Sequence, residues 1–101
     1  MDAPINFNTD KCTLRVMHVS SAHAPGEASL KDESFGPIYE GTGGFGYMYY
    51  VPVNFSDLHD CNPPAWLFPI LVKAHEFNYD YVLIDGDGPI FLDFKTYSWW
   101  W

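Results

Sequence analysis

The stretch YDYVLIDGDGPIFLDF, residues 79–94, decides the fold. Two runs rich in β-branched, aliphatic and aromatic residues flank Asp85-Gly86-Asp87-Gly88. Glycine tolerates positive φ, and an Asp side chain can accept a hydrogen bond from the backbone two residues on. The block therefore predicts a tight turn joining two strands. Before the turn Tyr81, Leu83 and Asp85 face one way and Val82 and Ile84 the other. After it Ile90, Leu92 and Phe94 alternate with Phe91 and Asp93. Apolar residues on both faces place this hairpin centrally in a sheet.

Upstream of the hairpin, Pro63-Pro64 follow a capping Asn62, and the spacing predicts a helix over residues 63–77. Trp66, Leu67, Ile70, Leu71, Ala74 and Phe77 fall on one face of it. Pro69 interrupts that helix. Either the helix kinks there, or Pro69 opens it and residues 63–68 form a separate turn. Asn78 is placed to end the helix in a left-handed conformation. Residues 54–62 are polar and read as loop. Tyr47-Met48-Tyr49-Tyr50-Val51-Pro52-Val53 reads as a strand that ends, or becomes an edge, at Pro52. The Gly-rich residues 35–46 before it suggest a mobile loop or hairpin tip. Leu14-Arg15-Val16-Met17-His18-Val19 is a first strand, with Leu14, Val16 and His18 on one face and Met17 and Val19 on the other. Ser20 or Ser21 could cap a short helix after it, and residues 24–34 read as loop. Residues 1–12 are expected to be a loosely ordered arm. The expected architecture is a single α+β domain over residues 1–101. A mostly antiparallel sheet of three to five strands packs one main helix, at about 63–77, on one face.

Composition bounds the class of partner. The chain has 101 residues, of which 48% are hydrophobic, enough to bury a core without disulfide or metal staples. Thirteen acids against five Lys and Arg leave a formal charge of −8. Phosphate affinity comes mainly from Lys and Arg, so nucleic acid is excluded as a partner, and an anionic membrane surface would repel the chain. A protein with a basic surface would be attracted. No apolar run approaches the ~20 residues that span a bilayer. Residues 1–10 lack the apolar core of a signal peptide, so a cytoplasmic location is expected. Cys12 and Cys61 are the only cysteines. They are expected to be free, buried thiols.

Several residues have the chemistry of a site. Val82-Leu83-Ile84-Asp85-Gly86-Asp87-Gly88 resembles the opening of haloacid-dehalogenase-type phosphatases, where the first Asp is the nucleophile and the second an acid/base. Pro89 stands where that family carries Thr or Val. Only thirteen residues follow Gly88, too few to continue a parallel sheet, and they carry a single Lys, Lys95, and a single acid, Asp93, rather than a Lys with an acidic cluster to hold Mg²⁺ and phosphate. The block is therefore read as a turn. His23, Asp85 and Asp87 stay as the catalytic candidates, and they would have to converge in one pocket. His59 and Cys61 are the metal candidates, but no Cys-x-x-Cys or His-x₃-His spacing supports them. No cofactor is expected. Aromatics are 19% of the chain, more than a core of this size needs. Tyr47, Tyr49, Tyr50, Trp99, Trp100 and Trp101 are the candidate binding residues, since exposed Tyr and Trp are interface hot-spot types. A homodimer would use the same rings.

The order of motifs resembles a bacterial small-domain family of unknown function associated with plasmids and integrative elements. Its pattern is Ser-Thr-Ala-His at a strand end, a Gly-Tyr-Gly-aromatic strand ending in Val-Pro, a helix, Gly-Cys-Asp-Tyr-Val-x-aromatic-Asp-x-Asp-Gly-Pro, and a closing Tyr-Asp-Trp. The matches here are Ser20-Ser21-Ala22-His23, Gly44-Phe45-Gly46-Tyr47 through Val51-Pro52, Asp80-Tyr81-Val82, Asp85-Gly86-Asp87-Gly88-Pro89 and Tyr97-Ser98-Trp99. Ser21 replaces Thr, and Asn78-Tyr79 replaces Gly-Cys. The resemblance implies genomic context and shared structural features, with no activity attached. The resulting expectation is a non-enzymatic acidic accessory protein of a mobile genetic element that binds another protein, in a specific form an anti-defence inhibitor. The alternative is a small metal-dependent hydrolase or a small-ligand binder using His23, Asp85 and Asp87, with the ligand pocket beneath the Gly-rich loop.

Overall fold

The computed structural model describes residues 4–26, 39–40, 46–60 and 62–97. In chain order the elements are β1 (Val16–Ser20), β2 (Tyr39–Glu40), β3 (Tyr47–Tyr50), α1 (Phe55–Asp60), α2 (Phe68–Glu76) and β4 (Tyr81–Asp85), with single 3-10 turns at Thr9–Lys11 and Ser21–His23. The strands form one mixed sheet in the order β1-β4-β3-β2. β4 runs parallel to β1 and antiparallel to β3, and β2 runs antiparallel to β3. This is the expected α+β class, with one main helix.

β4 is central, as its two apolar faces require, but its neighbours differ from those expected. The strand anticipated at residues 90–94 does not form, and turns and irregular chain follow Asp85 instead. Both edges of β4 are already occupied. Val82 faces Met17 of β1 on one side and Tyr49 of β3 on the other. A hairpin partner has no free edge to pair with, so the outgoing chain crosses the end of β1, where Pro89 O accepts the Ser20 N–H at 2.9 Å.

The register sorts side chains into two faces. Met17–Val82–Tyr49 and Val19–Ile84–Tyr47 form two cross-strand rows beneath α2. These residues are buried together with Leu67, Ile70, Leu71 and Ala74. Complete burial of a Leu or Ile side chain contributes about 1.5–3 kcal/mol, so this layer dominates the stability. Trp66 joins it edge-on to Tyr49, with ring centroids 6.1 Å apart. Among the described residues its buried Nε1–H has no acceptor. The opposite face carries Val16, His18, Met48, Tyr50, Tyr81, Leu83 and Asp85, all exposed or half-buried.

Pro69 starts the helix rather than kinking it. Leu67 and Phe68 both donate to Pro64 O at 3.0 Å, which closes a separate turn. Pro69 then occupies the first turn of α2, where a missing N–H costs no hydrogen bond. Asn62 has φ 52°, so it is no N-cap. At the other end Asn78 has φ 61°. Tyr79 N–H reaches Ala74 O at 2.9 Å and Asn78 N–H reaches His75 O at 3.2 Å, the paired bonds of a Schellman motif. Phe77 lies at this cap and is 57% exposed, so it leaves the core face on which spacing alone put it. Residues 55–60 are helical rather than loop, because a six-residue helix is too short to display a 3.6-residue period. Cys12 is exposed, not buried: its segment precedes β1, and residues 12–16 are all exposed. Cys61 lies outside the described residues, as do most of the Gly-rich loop and residues 98–101. No helix among the described residues is long and apolar enough to cross a membrane.

Candidate functional site

The motifs singled out in the sequence meet where β1 and β4 end side by side. Ser20 faces Asp85 across the parallel pair. Asp85 Oδ1 accepts the Asp87 N–H at 2.8 Å, and Gly88 N–H reaches Asp85 O at 3.3 Å, so the expected Asp-led turn forms. Positive φ plays no part in it: Gly46 is the one described glycine in that region, at 143°. Gly88 is needed for close approach. A Cβ there would lie 2.4 Å from the Val19 carbonyl carbon and 2.7 Å from Ser20 N. Gly46 seats against the other side of β4, where a Cβ would lie 3.1 Å from Asp85 Cβ.

Asp85 also pairs with a histidine, but not the expected one. Its Oδ1 accepts from His18 Nε2 at 2.8 Å, with the His18 side chain 42% and the Asp85 side chain 15% exposed. Sequence reasoning placed His18 on a strand face, and among the side chains that could supply a metal-ligating nitrogen, without pairing it with Asp85. The available signal was alternation, which puts His18 and Asp85 on the same side of adjacent strands once β1 and β4 are known to pair.

His23 is buried and fully used by backbone. Its Nε2 accepts the Phe91 N–H at 3.0 Å, so Nδ1 carries the proton and donates to Lys95 O at 2.9 Å. Tyr97 N–H adds a bond to Ala22 O at 2.8 Å, and the Phe94 ring stands edge-on to His23 at 5.4 Å. Ser20 Oγ accepts the Ala22 N–H at 3.0 Å and caps this turn. The Ser-Ser-Ala-His segment is thus a clamp that holds residues 89–97 against the sheet. No lone pair or ring N–H of His23 is left for a metal or a substrate, and its partners do not include Asp85 or Asp87. Asp87 is exposed, and among the described residues it joins through its backbone N–H.

The remaining candidates divide. Tyr47 and Tyr49 are core residues, which removes them from any contact surface. Tyr50 is exposed and packs edge-on to Tyr81 at 6.0 Å. Trp99, Trp100, Trp101 and Cys61 lie outside the described residues, and His59 falls within α1. Among the described residues no three His, Cys, Asp or Glu side chains are grouped to hold a metal.

A pocket of about 350 Å³ lies elsewhere, between the C-terminal half of α2, Met17 and the chain after the turn. Phe77, Tyr79, Phe91 and Phe94 line it with Lys73 and Asp93. Sequence reasoning missed it because Phe91 and Phe94 were assigned to a strand, where they would face opposite ways. The exposed apolar residues Ile90 (48%) and Leu92 (103%) sit beside its wall in sequence. No protein-family model, curated protein or solved structure matches the chain.

Proposed function

We propose that this chain is a non-enzymatic acidic protein that binds another protein through a basic surface on that partner. The observation that carries the reading is the unequal availability of its charges. Asp57, Asp60, Asp80 and Asp87 are exposed. Three of the five bases lie close to an aromatic ring: Arg15 lies 4.6 Å from the Tyr79 centroid, Lys73 5.9 Å from Phe77 and Lys95 4.9 Å from Tyr97, and Lys73 is further offset by Asp93 at 3.5 Å. A partner approaching this surface meets carboxylates. Leu92, standing fully in solvent between Asp87 and Asp93 in sequence, offers an apolar anchor of the kind that interface centres use. The spent ring nitrogens of His23 support a binding rather than a hydrolytic role. The resemblance to plasmid-associated proteins suggests an accessory role on a mobile element, and an inhibitor of a defence protein would be a specific form of it.

Affinity capture from a bacterial lysate, identification by mass spectrometry and titration of the purified pair against salt test this reading. Affinity should fall about tenfold or more between roughly 0.05 and 0.3 M salt, because contacts between solvated charges are screened over that range. Leu92→Ser should weaken the complex without moving the unfolding midpoint. A flat salt profile, with Leu92→Ser binding as well as the parent, would overturn it.

A further inference from the structure

We propose that the pocket between α2 and the post-turn chain binds a free α-amino acid with a large apolar side chain, recognised as a zwitterion. Its volume, about 350 Å³, lies at the small end of ligand pockets and suits a metabolite rather than a larger molecule. The body of the pocket is apolar: Phe91 and Phe94 meet edge-on at 6.1 Å, and Met17 and Tyr79 complete it. Phe77 and Phe91 retain exposed ring surface that a ligand would cover.

The charged lining is Lys73 and Asp93, with Glu76 next to Lys73 outside the lining. Lys73 Nζ lies 3.5 Å from Asp93 Oδ2 and 4.0 Å from Glu76 Oε2. Both separations exceed the ~2.7–2.9 Å of a charge-assisted hydrogen bond. Both carboxylates are more than half exposed, at 58% and 56%. An exposed pair this long contributes little, so a ligand can replace it. The ammonium has three donors and the Asp93 carboxylate two acceptor oxygens to offer.

The charges select the ligand class. A simple anion would meet Asp93, Glu76 and the field of a −8 chain. A simple cation would meet Lys73 at the same mouth, with Arg15 already over Tyr79. A zwitterion adds no net charge. Its carboxylate replaces Asp93 on Lys73, its ammonium takes Asp93, and its side chain fills the aromatic pocket.

The test is a titration of the full chain with L-phenylalanine, followed by amide shifts in ¹H–¹⁵N NMR. Amides of Lys73, Phe77 and residues 91–94 should shift and saturate with a Kd on the order of 0.1–1 mM. Phenethylamine and 3-phenylpropionate, each lacking one charge, should bind about tenfold more weakly or worse, and glycine should leave the spectrum unchanged. Lys73→Met and Asp93→Asn should each weaken L-phenylalanine about tenfold while the rest of the spectrum keeps its folded dispersion. Absence of any shift at about 10 mM L-phenylalanine overturns the proposal. So does 3-phenylpropionate binding as tightly as L-phenylalanine with Asp93→Asn without effect.

Discussion

At the scale of single residues, Gly88 shows how one position can be read correctly as essential and wrongly as to cause. Its sequence context, an Asp-Gly-Asp-Gly turn, points to backbone freedom. Its environment shows a steric requirement, with the three atoms nearest a built Cβ all belonging to the main chain of Val19 and Ser20. Main chain in a paired strand cannot rotate away as a side chain can. Gly88→Ala should therefore push the turn off β1, strain the Ser20–Pro89 bond and loosen the clamp around His23. The expected loss is about 2–4 kcal/mol, at or above the usual range for overpacking. Urea unfolding followed by tryptophan fluorescence measures it, and a loss below about 0.5 kcal/mol would show that the turn yields freely. His23 follows the same pattern. Its place after a strand was legible, but its donor and acceptor partners, Phe91 N–H and Lys95 O, lie 68 and 72 residues away and leave no local trace.

At the scale of elements, what the sequence made legible is what local physics controls. Strand β1 kept the predicted alternation, with Met17 and Val19 inward. Strand β3 ended before Pro52, and α2 took Pro69 into its first turn. Each of these depends on a few adjacent residues. The strand expected after the turn failed because pairing is a competition: β1 and β3 hold both edges of β4, and no periodicity within residues 90–94 reports that. The end of α2 offers a test of the local kind. Asn78 stands at φ 61°, where a Cβ-branched residue clashes with its own backbone. Asn78→Val should cost about 1–2 kcal/mol, the penalty of the left-handed region. Asn78→Gly should change stability by no more than about 0.5 kcal/mol, since relief of strain is offset by a freer unfolded chain. Thermal unfolding by circular dichroism separates the two. Equal losses in both variants would mean that the Asn side chain, rather than the backbone conformation, terminates the helix.

At the scale of the whole molecule, composition spoke for charge and was silent on the pocket. A pocket built from Met17, Lys73, Tyr79 and Phe91 needs the β1–β4 pairing and the failed hairpin together, and neither is a local property. Net charge needs no structure at all, and it carries a stability consequence of its own. With thirteen acids and five bases, the folded chain holds excess carboxylates closer together than the unfolded chain does. A folded domain of about 100 residues has a radius of gyration near 13 Å, against about 30 Å unfolded. At about 0.01 M salt the screening length, near 30 Å, lets these carboxylates repel across the entire fold; at about 0.1 M it drops to near 10 Å and the long-range part vanishes. Sodium chloride raised from about 0.01 to 0.2 M should therefore stabilise the protein by about 1 kcal/mol, a rise in Tm of roughly 4–8 °C for a domain this small. Chloride is the right probe, because sulfate stabilises most proteins by exclusion from their surface whatever their charge. The same titration on a Asp57→Asn, Asp60→Asn, Asp87→Asn triple variant should give a smaller rise, since the formal charge falls by three. If Tm instead drops with sodium chloride, short-range attractive pairs outweigh the net repulsion, and the carboxylates assigned here to a partner are engaged within the chain itself.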